Sequence, residues 1–184
     1  MTLTMPPEWE KHQRTFIAFP HTGYTLGNTQ AEQNAARQAW ASVANAASEY
    51  EKVTAIVHPD DERLAAKFLS SEIEVMIEKI DDAWIRDSGP TFVKDQAGKL
   101  AAIDWIFNGW GAQDWAEYSH DEMIASKIAA RYGVELIKSD LVNEGGGIHI
   151  NGKGQVLLTE TVQLDPGRNP DWSKEQVEQE LSRT

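Results

Sequence analysis

The sequence predicts an α/β fold in which short strands alternate with amphipathic helices. Three observations carry that expectation. Short β-branched or aromatic runs stop at proline or glycine, as strands entering turns do. Between them lie longer stretches with apolar residues at helical spacing. The strand–helix–strand order then recurs in outline along the 184 residues. A chain of that length buries a sizeable core. No low-complexity linker interrupts it, so residues 1–184 read as a single domain, and one that stops inside a repeating unit.

Thr15-Phe16-Ile17-Ala18-Phe19-Pro20 reads as a buried strand ended by proline. A polar, glycine-bearing loop over residues 21–29 precedes an alanine-rich helix over 30–51. Ala35, Ala39, Val43 and Ala46 mark its apolar stripe, with Trp40 adding bulk. Val53-Thr54-Ala55-Ile56-Val57 is a strand, and residues 60–69 form a helix carrying Leu64 and Phe68. Ile73, Val75 and Ile77 alternate in a strand over 73–80. Asp95-Gln96-Ala97-Gly98 turns a hairpin between Thr91-Phe92-Val93 and a strand over 100–107. A helix over 121–132 ends at Gly133, and a strand follows over 134–137. Asn151-Gly152-Lys153-Gly154 turns a second hairpin, between strands over 148–150 and 156–159. Ser173-Lys174-Glu175-Gln176 spells a capping box, and Val177 and Leu181 give its helix one apolar stripe. A βαβ layout requires a closing strand next, yet the sequence stops at Thr184.

Composition narrows the function. A formal charge of −12 argues against a nucleic-acid partner and suits a cationic substrate, although acidity also serves solubility. No apolar run reaches the ~18 residues of a membrane span. The opening ten residues lack the basic-then-apolar pattern of a signal peptide, so a cytoplasmic protein is expected. With no cysteine, disulfides and thiolate metal sites are excluded. The five histidines show no zinc-binding spacing, so neither a metal nor a cofactor is expected.

The run from Asp81 to Pro90 carries the chemistry. Trp84 and Asp87 stand three residues apart, ahead of a Gly89-Pro90 turn. A carboxylate accepts two parallel N–H bonds from a guanidinium, and an indole face attracts a flat cation. The plainer alternatives are a core tryptophan and an aspartate bonded to Arg86 or to turn amides. Further along come Asp104-Trp105-Ile106-Phe107-Asn108-Gly109-Trp110-Gly111, Glu144-Gly145-Gly146-Gly147-Ile148-His149 and Arg168-Asn169-Pro170. Glu144 reads either as a functional acid or as an exposed residue of a strained turn.

Together with Met5-Pro6-Pro7-Glu8-Trp9-Glu10-Lys11-His12, this ordered set resembles the agmatine deiminase family, kin of bacterial peptidylarginine deiminases. The resemblance implies a partial β/α-propeller: about two of five ββαβ-like units plus the start of a third. It implies hydrolysis of agmatine to N-carbamoylputrescine and ammonia, on the way to putrescine, through a cysteine thiolate and a proton-shuttling histidine. Asp87 matches the guanidinium-binding acid and Glu144 the acid that orients the histidine, the two catalytic assignments. Trp84, Asp87, Asn108 and Trp110 match the substrate-binding set. Gly109 and Gly111 stand where the peptidyl relatives place arginines for a substrate carboxylate, which favours agmatine. The chain departs from the pattern in lacking the nucleophilic cysteine. The His-x-Asp expected beyond Arg168-Asn169-Pro170 is absent, and His58-Pro59-Asp60 lies in the wrong unit to replace it. The chain is therefore expected to be inactive alone and to self-associate through exposed propeller edges. A non-catalytic guanidine-binding module, a subunit of a split enzyme and a peptidylarginine deiminase fragment are the alternatives.

Overall fold

The computed structural model describes residues 3–184, which divide into two compact units. One comprises Lys11–Ile85 and Trp115–Asp121, and is called the first unit below. The second comprises residues 3–10, Arg86–Asp114 and Glu122–Thr184.

The first unit is built on an all-parallel sheet. Strand β1 (Thr15–Ala18) leads through a helical turn, α1 (Gly23–Leu26), to the long helix α2 (Gln30–Ser48). Strand β2 (Val53–Val57) is central, and every one of its residues is buried, as a strand covered on both faces requires. A 3₁₀ turn (Pro59–Asp61) and the short helix α3 (Glu62–Ala65) then connect to β3 (Glu74–Ile77), giving the order β1-β2-β3. Phe19, Ala44, Val53, Ala55, Val57, Ala65 and Ile73 form the core.

Three expectations for this unit need correction. The stripe Ala35, Ala39, Val43 and Ala46 faces outward, with Val43 65% exposed. The buried face of α2 is Arg37, Ala41 and Ala44. An alanine-rich helix offers several weakly apolar faces, and here a charge-assisted contact fixes the choice. Arg37 Nε donates to the Pro20 carbonyl at 3.2 Å, and the guanidinium lies 3.7 Å from Asp61. The helix expected over 60–69 unwinds after Ala65 into tight turns, although Phe68 still packs on Phe19 at 5.9 Å. In β3 the core residue is Met76, while Val75 and Ile77 point outward. Ile73 is buried from the preceding turn rather than from the strand, so the expected alternation is out of phase.

The short helix α4 (Ile85–Ser88) leads into the second unit. There β4 (Thr91–Lys94) and β5 (Leu100–Ile106) form the expected antiparallel hairpin. Asp95 Oδ1 accepts the amides of Ala97 and Lys99, both at 2.8 Å, and Gly98 takes the left-handed φ of +79° that the turn needs. A distorted turn, α5 (Gly109–Ala112), precedes helix α6 (Ile124–Tyr132), which ends at left-handed Gly133 as anticipated. Strand β6 (Glu135–Val142) lies parallel to β5 and is twice the expected length. The hairpin β7 (His149–Ile150) and β8 (Val156–Leu157) is present but short. Helix α7 (Glu160–Gln163) had no sequence signal, whereas α8 (Lys174–Arg183) begins at the foreseen capping box. Val93, Ala101, Ile103, Trp105, Leu141 and Val177 are the core.

Glu180 pins α8 to β6. Its Oε1 accepts from Ser139 Oγ at 2.6 Å, and Arg183 donates to both of its oxygens. The Arg183 guanidinium holds the Glu180 carboxyl down at about 2, against 4.5 ordinarily, despite partial burial. A carboxyl depressed on folding stabilises above its unfolded pKa, and that contribution drains away as pH falls toward the folded value. Stability should therefore decline between pH 4.5 and 2, and Glu180→Gln should flatten that limb of a Tm-versus-pH curve. An unchanged limb would show that Glu180 does not anchor α8.

Candidate functional site

Asp87, Trp110 and Glu144, all expected at the site, belong to the second unit. Asp87 sits in α4, and both of its carboxylate oxygens are held. Oδ2 accepts the Trp110 indole N–H at 3.0 Å, and Oδ1 accepts the Gly146 amide at 3.0 Å. The turn-amide alternative thus applies to one oxygen, while a side chain from the expected binding set holds the other. Two neutral donors fix the plane of the carboxylate and leave further lone pairs for a cationic ligand.

The donors are themselves placed by unusual backbone. Gly109, Trp110, Gly111 and Ala112 have φ of 67°, 60°, 94° and 54°, a complete left-handed turn. Glycine adopts this freely, but Trp110 and Ala112 each give up about 1–2 kcal/mol. Asn108 offsets part of that strain. Its Oδ1 accepts from the Gly111 amide at 2.9 Å, and its Nδ2 donates to the Gly167 carbonyl at 2.9 Å. Both ends of its amide are engaged within the protein, so Asn108 holds the turn that presents Trp110. The Trp110 ring also stands edge-on to Phe107 at 5.1 Å. Gly109 and Gly111, read from sequence as the absence of arginines, are the residues that let this turn form.

Gly145-Gly146-Gly147 forms a 3₁₀ turn at the other wall. A methyl group at Gly145 would lie 2.3 Å from the Arg86 carbonyl oxygen, and one at Gly146 would lie 2.4 Å from Asp87 Oδ1. Close backbone approach is therefore what these glycines allow. Gly145→Ala pits a methyl against a carbonyl that cannot swing aside. It should cost about 1–3 kcal/mol, read as a lowered calorimetric Tm. A wild-type Tm would mean the turn has slack.

Glu144 precedes that turn and is only 4% exposed. Arg168 holds it, with Nε and Nη2 both donating to Oε1 at 2.9 and 2.6 Å. Arg168 also lies 3.5 Å from Asp165 Oδ1. The Glu144–Arg168 pair joins positions 24 apart in the chain, so neither Glu144-Gly145-Gly146 nor Arg168-Asn169-Pro170 alone announces it. Asn169 completes the scaffold, bonding the Val142 amide at 3.0 Å and the carbonyls of Val142 and Gln163 at 2.9 and 3.0 Å. Asp87, Glu144 and Asp165 against Arg168 leave this region formally negative, which suits a cation.

Trp84 belongs to the first unit. It is not a core tryptophan: it is 39% exposed and meets Trp40 edge-on at 6.0 Å. Trp105 is the core tryptophan, 7% exposed, with its N–H on Thr91 Oγ1 at 2.8 Å. The first carboxylates of the acidic run are structural. Asp81 Oδ2 accepts the amides of His120 and Asp121 at 2.7 and 3.3 Å. Asp121 returns the contact by accepting the amides of Asp81 and Asp82 at 2.9 and 3.0 Å. Burial pushes the Asp121 carboxyl up to about 7. His149 is an exposed strand residue, as expected.

A model of the Porphyromonas-type peptidyl-arginine deiminase family matches residues 4–184. A protein of Streptomyces coelicolor named "Putative agmatine deiminase" is 52% identical over 182 residues, covering 98% of this chain and 53% of that relative. One of the same name from Streptomyces avermitilis is 48% identical, covering 96% of this chain and 51% of its own length. The structure described as "Agmatine deiminase of Enterococcus faecalis catalyzing its reaction" matches with a TM-score of 0.90 and 32% identity, over 98% of this chain and 50% of that one. The chain thus spans about half the length of the curated relatives it matches. Among the described residues, no helix is long and apolar enough to cross a membrane.

Proposed function

This chain belongs to the Porphyromonas-type peptidyl-arginine deiminase family, and on that premise we propose that it supplies the guanidinium-binding part of an agmatine deiminase. The reaction is hydrolysis of agmatine to N-carbamoylputrescine and ammonia, and the architecture is part of a β/α-propeller. One observation carries the reading above the rest: the Asp87 carboxylate is oriented on both oxygens by Trp110 and Gly146.

A guanidinium is planar and its N–H groups fork, so a carboxylate locked in plane receives it in one orientation. That orientation presents the central carbon to an incoming nucleophile, and fixed geometry lowers the barrier to attack. Asp87 is the anchor. Trp110 keeps the carboxylate aligned and adds an aromatic edge. Asn108 acts through Trp110 by holding the left-handed turn. Glu144 is the acid that orients a proton-transfer histidine, and Arg168 fixes the acid. Trp84, three residues before Asp87 in the chain, keeps its place in the substrate-binding set on the sequence resemblance alone. With glycines at 109 and 111, nothing in that turn calls for a substrate carboxylate, so agmatine fits better than a peptidyl arginine. Exposed Val43, Val156 and Leu157 favour self-association of the isolated chain.

The nucleophile must come from elsewhere, because the chain has no cysteine and serine without an activating base is a weak substitute. Two proteins are compared in a colorimetric ureido assay on agmatine. One is the chain alone; the other is the chain fused to the part of the Streptomyces coelicolor relative lying beyond the match. The fusion should turn over agmatine and the chain alone should not. Turnover by the chain alone removes the need for a thiolate and overturns the assignment. A folded but inactive fusion overturns it too.

A further inference from the structure

One loop of the second unit reaches both of the turns that hold Asp87. Asp165-Pro166-Gly167-Arg168 is a turn sequence, with aspartate first and proline fixing the next φ. The Asp165 carbonyl accepts the Arg168 and Asn169 amides at 2.9 and 2.8 Å, and Asp165 Oδ1 accepts the Gly167 amide at 2.8 Å. The shape of the loop is thus set by its own residues.

Three consecutive residues then tie it to its surroundings. The Gly167 carbonyl accepts from Asn108 Nδ2 at 2.9 Å, which joins the loop to the left-handed turn carrying Trp110. Arg168 donates twice to Glu144 Oε1, at the entry to the glycine turn. The Asn169 side chain bonds both backbone groups of Val142, at the end of β6. Trp110 and Gly146, from those same two turns, donate to the two oxygens of Asp87. The contacts close a ring that runs from the loop through the left-handed turn, Asp87 and the glycine turn back to the loop. In a closed ring, neither donor shifts without straining the other.

The ring is also tight. A methyl group at Gly167 would lie 2.5 Å from the Gly111 carbonyl oxygen and 2.9 Å from Asp165 Oδ1. Gly167 does not share the left-handed φ of Gly109 and Gly111, so close approach rather than backbone freedom is what its missing side chain serves. Asn169 is buried, and the Arg168 side chain nearly so. Loops are ordinarily the exposed and mobile parts of a domain, and this one is neither free nor bare.

We propose that residues 165–169 form a positioning loop for guanidinium binding, which fixes the spacing of the two turns and so sets Trp110 and Gly146 together against Asp87. The inference rests on Asp87 as the guanidinium anchor. Gly167 sets how closely the left-handed turn approaches, while Arg168 and Asn169 place the glycine turn. All three act through Trp110 and Gly146.

Two N–H signals in ¹⁵N–¹H spectra of the 184-residue chain report on the ring: the Trp110 indole and the Gly146 amide. Gly167→Ala adds its methyl on the side of the left-handed turn, and Asn169→Ala removes contacts to β6 and α7. Each should shift both signals, whereas Phe68→Leu, packed on the core of the first unit, should shift neither. A loop substitution that moves only the signal on its own side, or neither, overturns the proposal. The unaltered chain supplies a second test if a variant does not fold. The amides of Gly111, Gly146 and Asn169 should exchange hydrogen with one common opening free energy, as members of a single cooperative unit do, and separate values would overturn the coupling. In the fusion, Gly167→Ala should lower kcat/KM for agmatine by about tenfold to 10²-fold, the scale of a small misplacement, and an unchanged rate would overturn the positioning role. A fusion inactive before any substitution counts against Asp87 as the anchor and leaves the spectra to decide on the loop.

Discussion

Replacing Asp87 with asparagine in the fusion lowers kcat/KM for agmatine by about 10²- to 10⁴-fold. Removing one partner of a partly buried, hydrogen-bonded charge pair costs about 3–5 kcal/mol, and each 1.36 kcal/mol is tenfold in rate. The substitution also turns half of the acceptor into an NH₂ group. That group would face either the Trp110 indole N–H at 3.0 Å or the Gly146 amide at 3.0 Å, so one donor loses its acceptor. Activity should suffer far more than stability: the shape is kept and one hydrogen bond is lost, so the Tm should fall by no more than a few degrees. Steady-state rates on agmatine provide the check. A variant within threefold of wild type would show that the guanidinium is gripped elsewhere.

The second large effect concerns stability. Arg168→Met should destabilise the second unit by about 3–5 kcal/mol, because it leaves the Glu144 carboxylate without its cation in a site where that residue is 4% exposed. For a chain of 184 residues the calorimetric Tm should fall by roughly 6–20 °C. Glu144→Gln in the same background should recover much of the loss, since a neutral amide tolerates burial better than an unpaired charge. The two changes should therefore be strongly non-additive in a double-mutant cycle. Additive losses would mean the two side chains are energetically independent despite their contact.

What could be read from the sequence was local. The hairpin at Asp95–Gly98, the stop at Gly133 and the capping box at Ser173 each depend on residues a few positions apart, and each is present. Thr29 with Glu32 forms a second box of the same local kind at the start of α2. The buried face of α2 was not legible, because alanine scarcely distinguishes faces and Arg37 is fixed by Pro20 and Asp61. Asp87 and Trp110 could be named from their motifs, but not the bond between them. That bond depends on a left-handed turn whose non-glycine members, Trp110 and Ala112, carry no signal for positive φ. Arg168 on Glu144, and His21 against His58, join segments far apart in the chain. Spacing rules for local motifs cannot see such pairs.

The most direct measurement is a crystal structure of the fusion carrying Asp87, Trp110 and Glu144 unchanged, soaked with agmatine. Guanidinium nitrogens should lie about 2.7–2.9 Å from the Asp87 carboxylate, with the Trp110 indole N–H still bonded to Oδ2. Agmatine bound with its guanidinium away from Asp87, or an Asp87 carboxylate turned from Trp110 to receive it, would contradict the account.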